Sequence, residues 1–239
     1  MEQLRLQTFG GLVLLVGGAA TTGAATRRRR LALLTLLALA RERGLTRDKI
    51  HSYLWPDSTA ERARQGLNQL LYFQRHHLDG GELFLGKKTL RLNPRAITSD
   101  VWEFEDAFDK GAYETAVHLY LGAFLDGFFV TGAPEFERWA ADQRRRLGDR
   151  CARALAALAS AAAAKGDHRQ AVEWWNRAAE LNPYDTDTVI HLAQEWMAAG
   201  DRNSALRCAL HHSDVMQTDL GTRPDPRVGR MIDELRNAG

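Results

Sequence analysis

Ser58 to Leu78 reads STAERARQGLNQLLYFQRHHL, and this stretch decides how the rest of the chain is understood. Ser58 followed three residues later by Glu61 has capping-box spacing, so a helix is expected to begin there. At about 100° per residue, Ala60, Ala63, Leu67, Leu70, Leu71 and Leu78 share one stripe and predict a buried face. The opposite face carries Arg62, Gln65, Asn68, Gln69, Tyr72 and His76. A solvated face is usually rich in Glu and Lys. Arg, Gln, Asn, Tyr and His can instead pair with base edges or hold phosphate, so this face reads either as solvated surface or as a nucleic-acid surface.

Just upstream, Thr46 is placed to cap a shorter helix with Ile50, Tyr53 and Leu54 on its inner side, ended by Trp55-Pro56. Arg47 and Lys49 stand at its start, where free N–H groups can also hold a phosphate. Before it, Leu31, Leu34, Leu37 and Leu39 predict a first helix running to about Arg43 and stopped by Gly44. Helix, short turn and longer helix with a polar outer face is helix-turn-helix order. Arg27 to Arg30 fall on the first turn of the first helix, the unfavourable end for positive charge. Either an anionic partner, met by Arg27 and Arg28 among others, or a solvated charge cluster accounts for them.

Leu4, Leu6 and Thr8 alternate with polar residues, and Leu12 to Val16 is a β-rich run, so a small antiparallel sheet is expected at the start; Gly17 to Thr26 reads as a loop of Gly, Ala and Thr, either alone or with a weak third strand. Leu83 to Gly86 and Thr89 to Leu92 read as a hairpin with Lys87 and Lys88 at its tip. Such a wing either touches a nucleic-acid backbone or uses its lysines to block edge pairing.

Charge divides the chain. Residues 1–95 carry 16 Lys/Arg and 7 Asp/Glu, a net of +9, whereas residues 96–239 carry 16 and 23, a net of −7. The expected domains are therefore 1–95, facing a polyanion, and 96–239. Cys151 and Cys208 are too few for a disulfide framework and are read as buried apolar residues in a reducing cytoplasm. The longest apolar run, Leu31 to Ala40, is half of what a membrane span requires. Leu12 to Val16 lacks the preceding basic cluster of a signal peptide.

In the second part, Pro94 to Ser99 reads as a short polar connector, and Asp100 opens a run of helices. Val101, Trp102, Phe104 and Phe108 form one apolar face, and Tyr113, Ala116, Val117 and Tyr120 the next. Ala133 to about Lys165 predicts one long Ala-rich helix. Gly166-Asp167 recurs 34 residues later at Gly200-Asp201, with Ala171 and Ala205 in the same phase, which is the period of tetratricopeptide repeats. Gly111 with Ala116 five residues on repeats the Gly166–Ala171 spacing and marks a diverged earlier unit.

With these motifs in place, the run from Arg27 to Leu78 resembles the OmpR-type winged helix that opens bacterial activators of the SARP class. The matching features are LTRDKI at 45–50, LWP at 54–56, Ala63-Arg64 and the Leu67 to Leu71 spacing. The resemblance implies a third helix in the major groove with a hairpin wing beside it. It implies base or phosphate contacts from Arg62, Arg64, Gln65, Asn68, Gln69, Tyr72 and Arg75, and backbone contacts from Arg47, Lys87 and Lys88. Asn68 and His76 depart from the basic residues common in such sequences, and Gln74 stands where Leu is expected. DVWEFEDAF, YETAVHLYLGAFLDGF, WNRAAELNPYD and DLGTRPDP are similar to the bacterial transcriptional activator domain that follows the winged helix in this class. That similarity implies an all-α, TPR-like domain linked to dimerisation and to contacts with the transcription machinery, in a short stand-alone member.

No P-loop, dinucleotide fingerprint or HExxH occurs, and neither a catalytic constellation nor a cofactor site is read. Cys208, His211 and His212 share a helix face and offer a weak metal trio, while Trp174, Trp175 and Trp196 suggest either an aromatic cage or repeat packing. Tandem His76-His77 either lends pH sensitivity to DNA binding or is an exposed pair without a role.

The combined expectation is a mainly α protein, with an N-terminal winged helix-turn-helix carrying a small β-sheet and wing hairpin, and a C-terminal all-α TPR-like domain. Its partners would be double-stranded DNA, a second copy in a homodimer and RNA polymerase. A protein-interaction adaptor whose winged helix has lost specific DNA binding is the alternative.

Overall fold

Alternation at the N-terminus builds a sheet whose inner face is fully covered: Leu4 and Leu6 of β1 (Leu4–Gln7) are completely buried. The computed structural model describes residues 4–21, 26–77 and 82–237, and of 26, 27 and 74–77 the backbone only. Strand β1 pairs antiparallel with β2 (Val13–Val16), and β2 with β3 (Ala19–Ala20). On its other edge β1 pairs in parallel with Ile97–Ser99, the last strand among the described residues, giving Leu4 opposite Ile97 and Leu6 opposite Ser99. The segment expected as a polar connector is therefore partly a strand, with Ile97 and Ser99 buried.

The first helix, α1 (Thr26–Ala40), is buried on all sides from Ala32 to Ala38, because sheet and helices surround it. It ends at Ala40 rather than Arg43; Arg41–Arg43 tighten into a 3-10 turn before Gly44. Leu45–Thr46 forms a short β4, which pairs with β6 (Thr89–Leu92) of the wing, and β6 pairs with β5 (Phe84–Leu85). The Thr46 hydroxyl accepts from Lys49 N–H and opens α2 (Arg47–Leu54), with Ile50 and Leu54 buried. Next comes α3 (Ala60–His77).

Two corrections follow for α3. Ser58 is not the cap: its N–H bonds to Trp55 O in the preceding turn, and Thr59 Oγ1 accepts from Arg62 N–H instead. The inner stripe keeps Ala63, Leu67 and Leu71 buried and Leu70 half-buried, but Ala60 is exposed. Leu78 lies outside the described residues, as do the side chains of Gln74, His76 and His77.

The compact units do not coincide with the charge boundary near residue 95. Contacts divide the chain into one unit ending at Leu147 and a second beginning at Gly148. The physical reason sits at Asp100, the first residue of α4 (Asp100–Asp109), which is buried against the end of β1. Its Oδ2 accepts from Thr8 N–H at 2.7 Å and Phe9 N–H at 3.0 Å; its Oδ1 accepts from Thr8 Oγ1 and Val101 N–H, both at 2.7 Å. A buried carboxylate is tolerated because these donors replace its water. After α5 (Tyr113–Leu119), the loop carrying Phe124 returns to the same place: Gly10 N–H bonds to Ala123 O and Leu125 N–H to Thr8 O. Phe9, Phe104, Tyr120 and Phe124 close this core around ring centroids 4.8 to 6.4 Å apart.

The long helix α6 (Pro134–Ala163) gives its first half to the first unit and its second half to the other. In the second unit, α7 (His168–Leu181), α8 (Thr186–Ala198), α9 (Arg202–Leu220) and α10 (Pro226–Asn237) pack successively. The 34-residue recurrence is a repeated turn. Gly166 N–H bonds to Ala163 O and Asp167 N–H to Ala162 O; Gly200 N–H bonds to Met197 O and Asp201 N–H to Trp196 O. Both glycines have left-handed φ, 76° and 83°, and each following Asp caps its helix by accepting from the N–H three residues on. In the first unit Gly111, at φ 72°, closes α4 with the same bonds, from Gly111 N–H to Phe108 O and from Ala112 N–H to Ala107 O. Ala116, Ala171 and Ala205, each five residues beyond its glycine, are fully buried.

Candidate nucleic-acid interface

The outer face of α3 is uncovered along its described length. Arg62, Arg64, Gln65, Asn68 and Gln69 are exposed, and Tyr72 is 65% exposed although it is a large aromatic. What holds this face outward is the inner side of the helix. Leu67 is fully buried, and Gly66 lies so close to Trp55 that an added Cβ would meet the indole at 3.0 Å. A glycine in mid-helix costs about 1 kcal/mol relative to Ala, and here the tight approach of α2's end accounts for it. Sequence reading passed over Gly66, although an interior helical glycine is itself a signal of close packing.

Arg47 stands where α2, α3 and the wing meet. Its Nε donates to Lys87 O at 2.8 Å and one terminal nitrogen donates to Asn68 Oδ1 at 3.0 Å; its own N–H bonds to Lys88 O. Lys87 and Lys88 are exposed at the hairpin tip. Thr46, Arg47, Asp48, His51, Arg64, Asn68 and Lys88 line an open cleft of about 480 Å³ at this junction. Cations outnumber anions there. Among the described residues the buried His51 Nε2 has no hydrogen-bond partner, and burial, opposed by Asp48, holds the imidazole below its usual pKa. Arg62, Arg64, Gln65, Asn68, Gln69 and Tyr72 thus share one helix face, with Arg47, Lys87 and Lys88 beside it. The side chains of Arg27 and Arg75 lie outside the described residues.

The arginine run has another explanation than a solvated cluster or an anionic partner. Arg28 donates to Phe129 O at 3.1 Å and lies 4.2 Å over the Phe129 ring. Arg29 donates to Leu54 O at 3.1 Å and Thr131 O at 3.2 Å, and its guanidinium is 5.8 Å from the Trp55 ring. Arg30 covers the Phe73 ring at 3.6 Å. Leu54 O is one of the unpaired carbonyls that every helix leaves at its C-terminus, here that of α2. Arg28, which is exposed, and the half-buried Arg29 and Arg30 tie α2, α3 and the 129–131 loop to α1.

The minor candidates resolve into packing. His212 is buried, with Nδ1 3.0 Å from Pro183 O and Nε2 3.2 Å from Thr186 Oγ1, while His211 is exposed. Burial pushes Cys208 up to about 11 and Cys151 up to about 12, so both stay thiols. Trp175 is buried and stacks on His191 at 4.9 Å, Trp174 lies beneath Arg177, and Trp196 packs against Ala193, Ala205 and Leu235. Among the described residues, no group of three or more His, Cys, Asp or Glu is placed to hold a metal ion, and no helix is long and apolar enough to cross a membrane.

Comparison with known proteins supports this architecture. No curated protein matches the sequence. Among solved structures, Mycobacterium tuberculosis EmbR in complex with a low-affinity phosphopeptide is similar, with a TM-score of 0.69 at 18% identity. The similarity covers 100% of this chain and 66% of that one, so the chain spans just under two thirds of EmbR's length. The two share the fold of a winged-helix region followed by a helical domain. The family model described as the bacterial transcriptional activator domain matches residues 102–236, more than half of the sequence, and the chain therefore belongs to the bacterial transcriptional activator domain family.

Proposed function

We propose that this chain is a sequence-specific DNA-binding regulator of transcription, an activator, working in the cytoplasm. The observation that carries the reading is the uncovered face of α3, rich in paired hydrogen-bond donors and acceptors, flanked by a cationic cleft and two wing-tip lysines. In this reading α3 lies in the major groove, where Arg62, Gln65, Asn68, Gln69 and Tyr72 meet base edges and Arg64 meets phosphate. Lys87 and Lys88 hold the backbone and set the salt dependence. Arg27, Arg28 and Arg75 would add further cationic contacts, with Arg28 also bonded to Phe129 O. The second unit pairs two protomers or meets RNA polymerase. A dimer would place its half-sites about one helical turn apart.

The test is enrichment of genomic fragments on the purified chain at two salt concentrations. A repeated motif is expected for the natural chain. Arg62→Ala with Gln69→Ala should lose the motif and keep weak binding, whereas Lys87→Ala with Lys88→Ala should weaken all sequences alike and lower the salt slope by about 2. An unchanged motif in the first double variant would show that another face reads DNA. A protein-interaction adaptor is the second reading, favoured by arginines spent inside the fold. It requires binding without any motif, and only at low salt.

A further inference from the structure

Asn68, on the outer face of α3, has its side chain bonded to Arg47 of α2, and that bond constrains what it can read. A guanidinium carries only donors, so the atom of the Asn68 amide facing Arg47 at 3.0 Å is its oxygen. The amide is planar. With Oδ1 turned to Arg47, the two N–H groups of Nδ2 occupy the opposite side. Arg47 in turn is fixed by its second bond, to Lys87 O, and by its main-chain N–H to Lys88 O.

We infer that Arg47 is a specificity-determining positioning residue that holds Asn68 as a hydrogen-bond donor. An unheld Asn pairs with adenine through both amide atoms, accepting from N6 and donating to N7. The bond from Arg47 takes one of the oxygen's two lone pairs and fixes the amide plane, which weakens the paired contact with adenine and keeps the donor strength of Nδ2 toward O6 and N7 of guanine or O4 of thymine. The arrangement also couples the wing to the reading helix, since one side chain bonds both. This inference rests on the DNA-binding reading above and concerns one position within it.

Lysine at position 47 separates the fork from the charge. A single ammonium keeps the attraction for phosphate but lacks the planar fork that spans Lys87 O and Asn68 Oδ1. Binding selection from a randomised duplex library is carried out on the natural chain, Arg47→Lys, Arg47→Met and Asn68→Asp. In both Arg47 variants, adenine is expected to gain about tenfold over guanine at one position of the motif, with the salt slope preserved in Arg47→Lys. Asn68→Asp keeps an acceptor for Arg47 and removes the donor, so the same position should lose its preference for guanine or thymine. Identical base preferences in the natural chain and both Arg47 variants, with only uniform loss of affinity, would overturn the inference and leave the DNA-binding reading intact. Absence of any motif for the natural chain would overturn both.

Discussion

Replacing Asp100 by Asn removes one charge and exchanges one oxygen for an NH₂ group, with almost no change in shape. The carboxylate accepts four bonds of 3.0 Å or less, three of them from main-chain N–H groups at the end of β1 and the start of α4. If the Asn oxygen stays with Thr8 and Phe9 N–H, the new NH₂ faces Val101 N–H, donor against donor. The Thr8 hydroxyl can turn and accept. One buried donor is then stranded, at about 1 to 3 kcal/mol, and the surviving bonds lose their charge assistance. The lower cost of burying a neutral amide offsets part of this, leaving a net loss of about 2 to 3 kcal/mol. Urea unfolding followed by circular dichroism should show the transition of the first unit at lower urea with its slope unchanged. Hydrogen exchange should show Thr8 and Phe9 amides losing protection beyond the global change. A loss below about 1 kcal/mol, or protection at Thr8 and Phe9 unchanged, would refute the view that this carboxylate joins β1 to the helices after it.

Arg29→Met should lower stability by about 2 kcal/mol through the carbonyls of Leu54 and Thr131, and leave the salt slope of DNA binding unaltered; a slope reduced by 1 would return the arginine run to the interface. Cys151 has an ordinary value of 9.0 and is pushed up to about 12 by burial, so above pH 9 the unfolded chain releases a proton that the folded chain keeps. Stability should fall as pH rises from about 9 towards 12, and Cys151→Ala should flatten that fall in pH-dependent urea titrations.

The order of elements was legible because each carries a local signal. Thr46 is a cap, Trp55-Pro56 a stop, and the Gly-Asp pairs mark turns whose hydrogen bonds recur atom for atom. The outer face of α3 was legible from periodicity, since burial of Leu67 and Ala63 fixes which side remains outside. What was hidden depends on distant partners. Nothing local distinguishes Ser58 from Thr59 as the cap; the turn at Trp55 decides it. The arginines of α1 find carbonyls about 100 residues away, and a carbonyl has no signature in sequence. Ile97–Ser99 is too short to announce itself as a strand until β1 is beside it. The charge boundary near residue 95 is real, yet acidic α4 belongs with the basic half because Asp100 and Glu103 bond to Thr8 and Arg5 of that half.

The pairing of β1 with Ile97–Ser99, and of Thr8 O with Leu125 N–H, has a consequence for synthesis. A ribosome adding about 5 to 20 residues per second leaves the first strand without these partners for roughly ten seconds. Helices α1 to α3 can form early from neighbouring contacts, while the sheet built on β1 waits until Ile97–Ser99, α4 and the following loop emerge. A nascent chain halted before that point has α3 but neither the β1 sheet nor α4, so if α3 reads DNA as proposed, competence for it would arise only once the helices after residue 100 have been made.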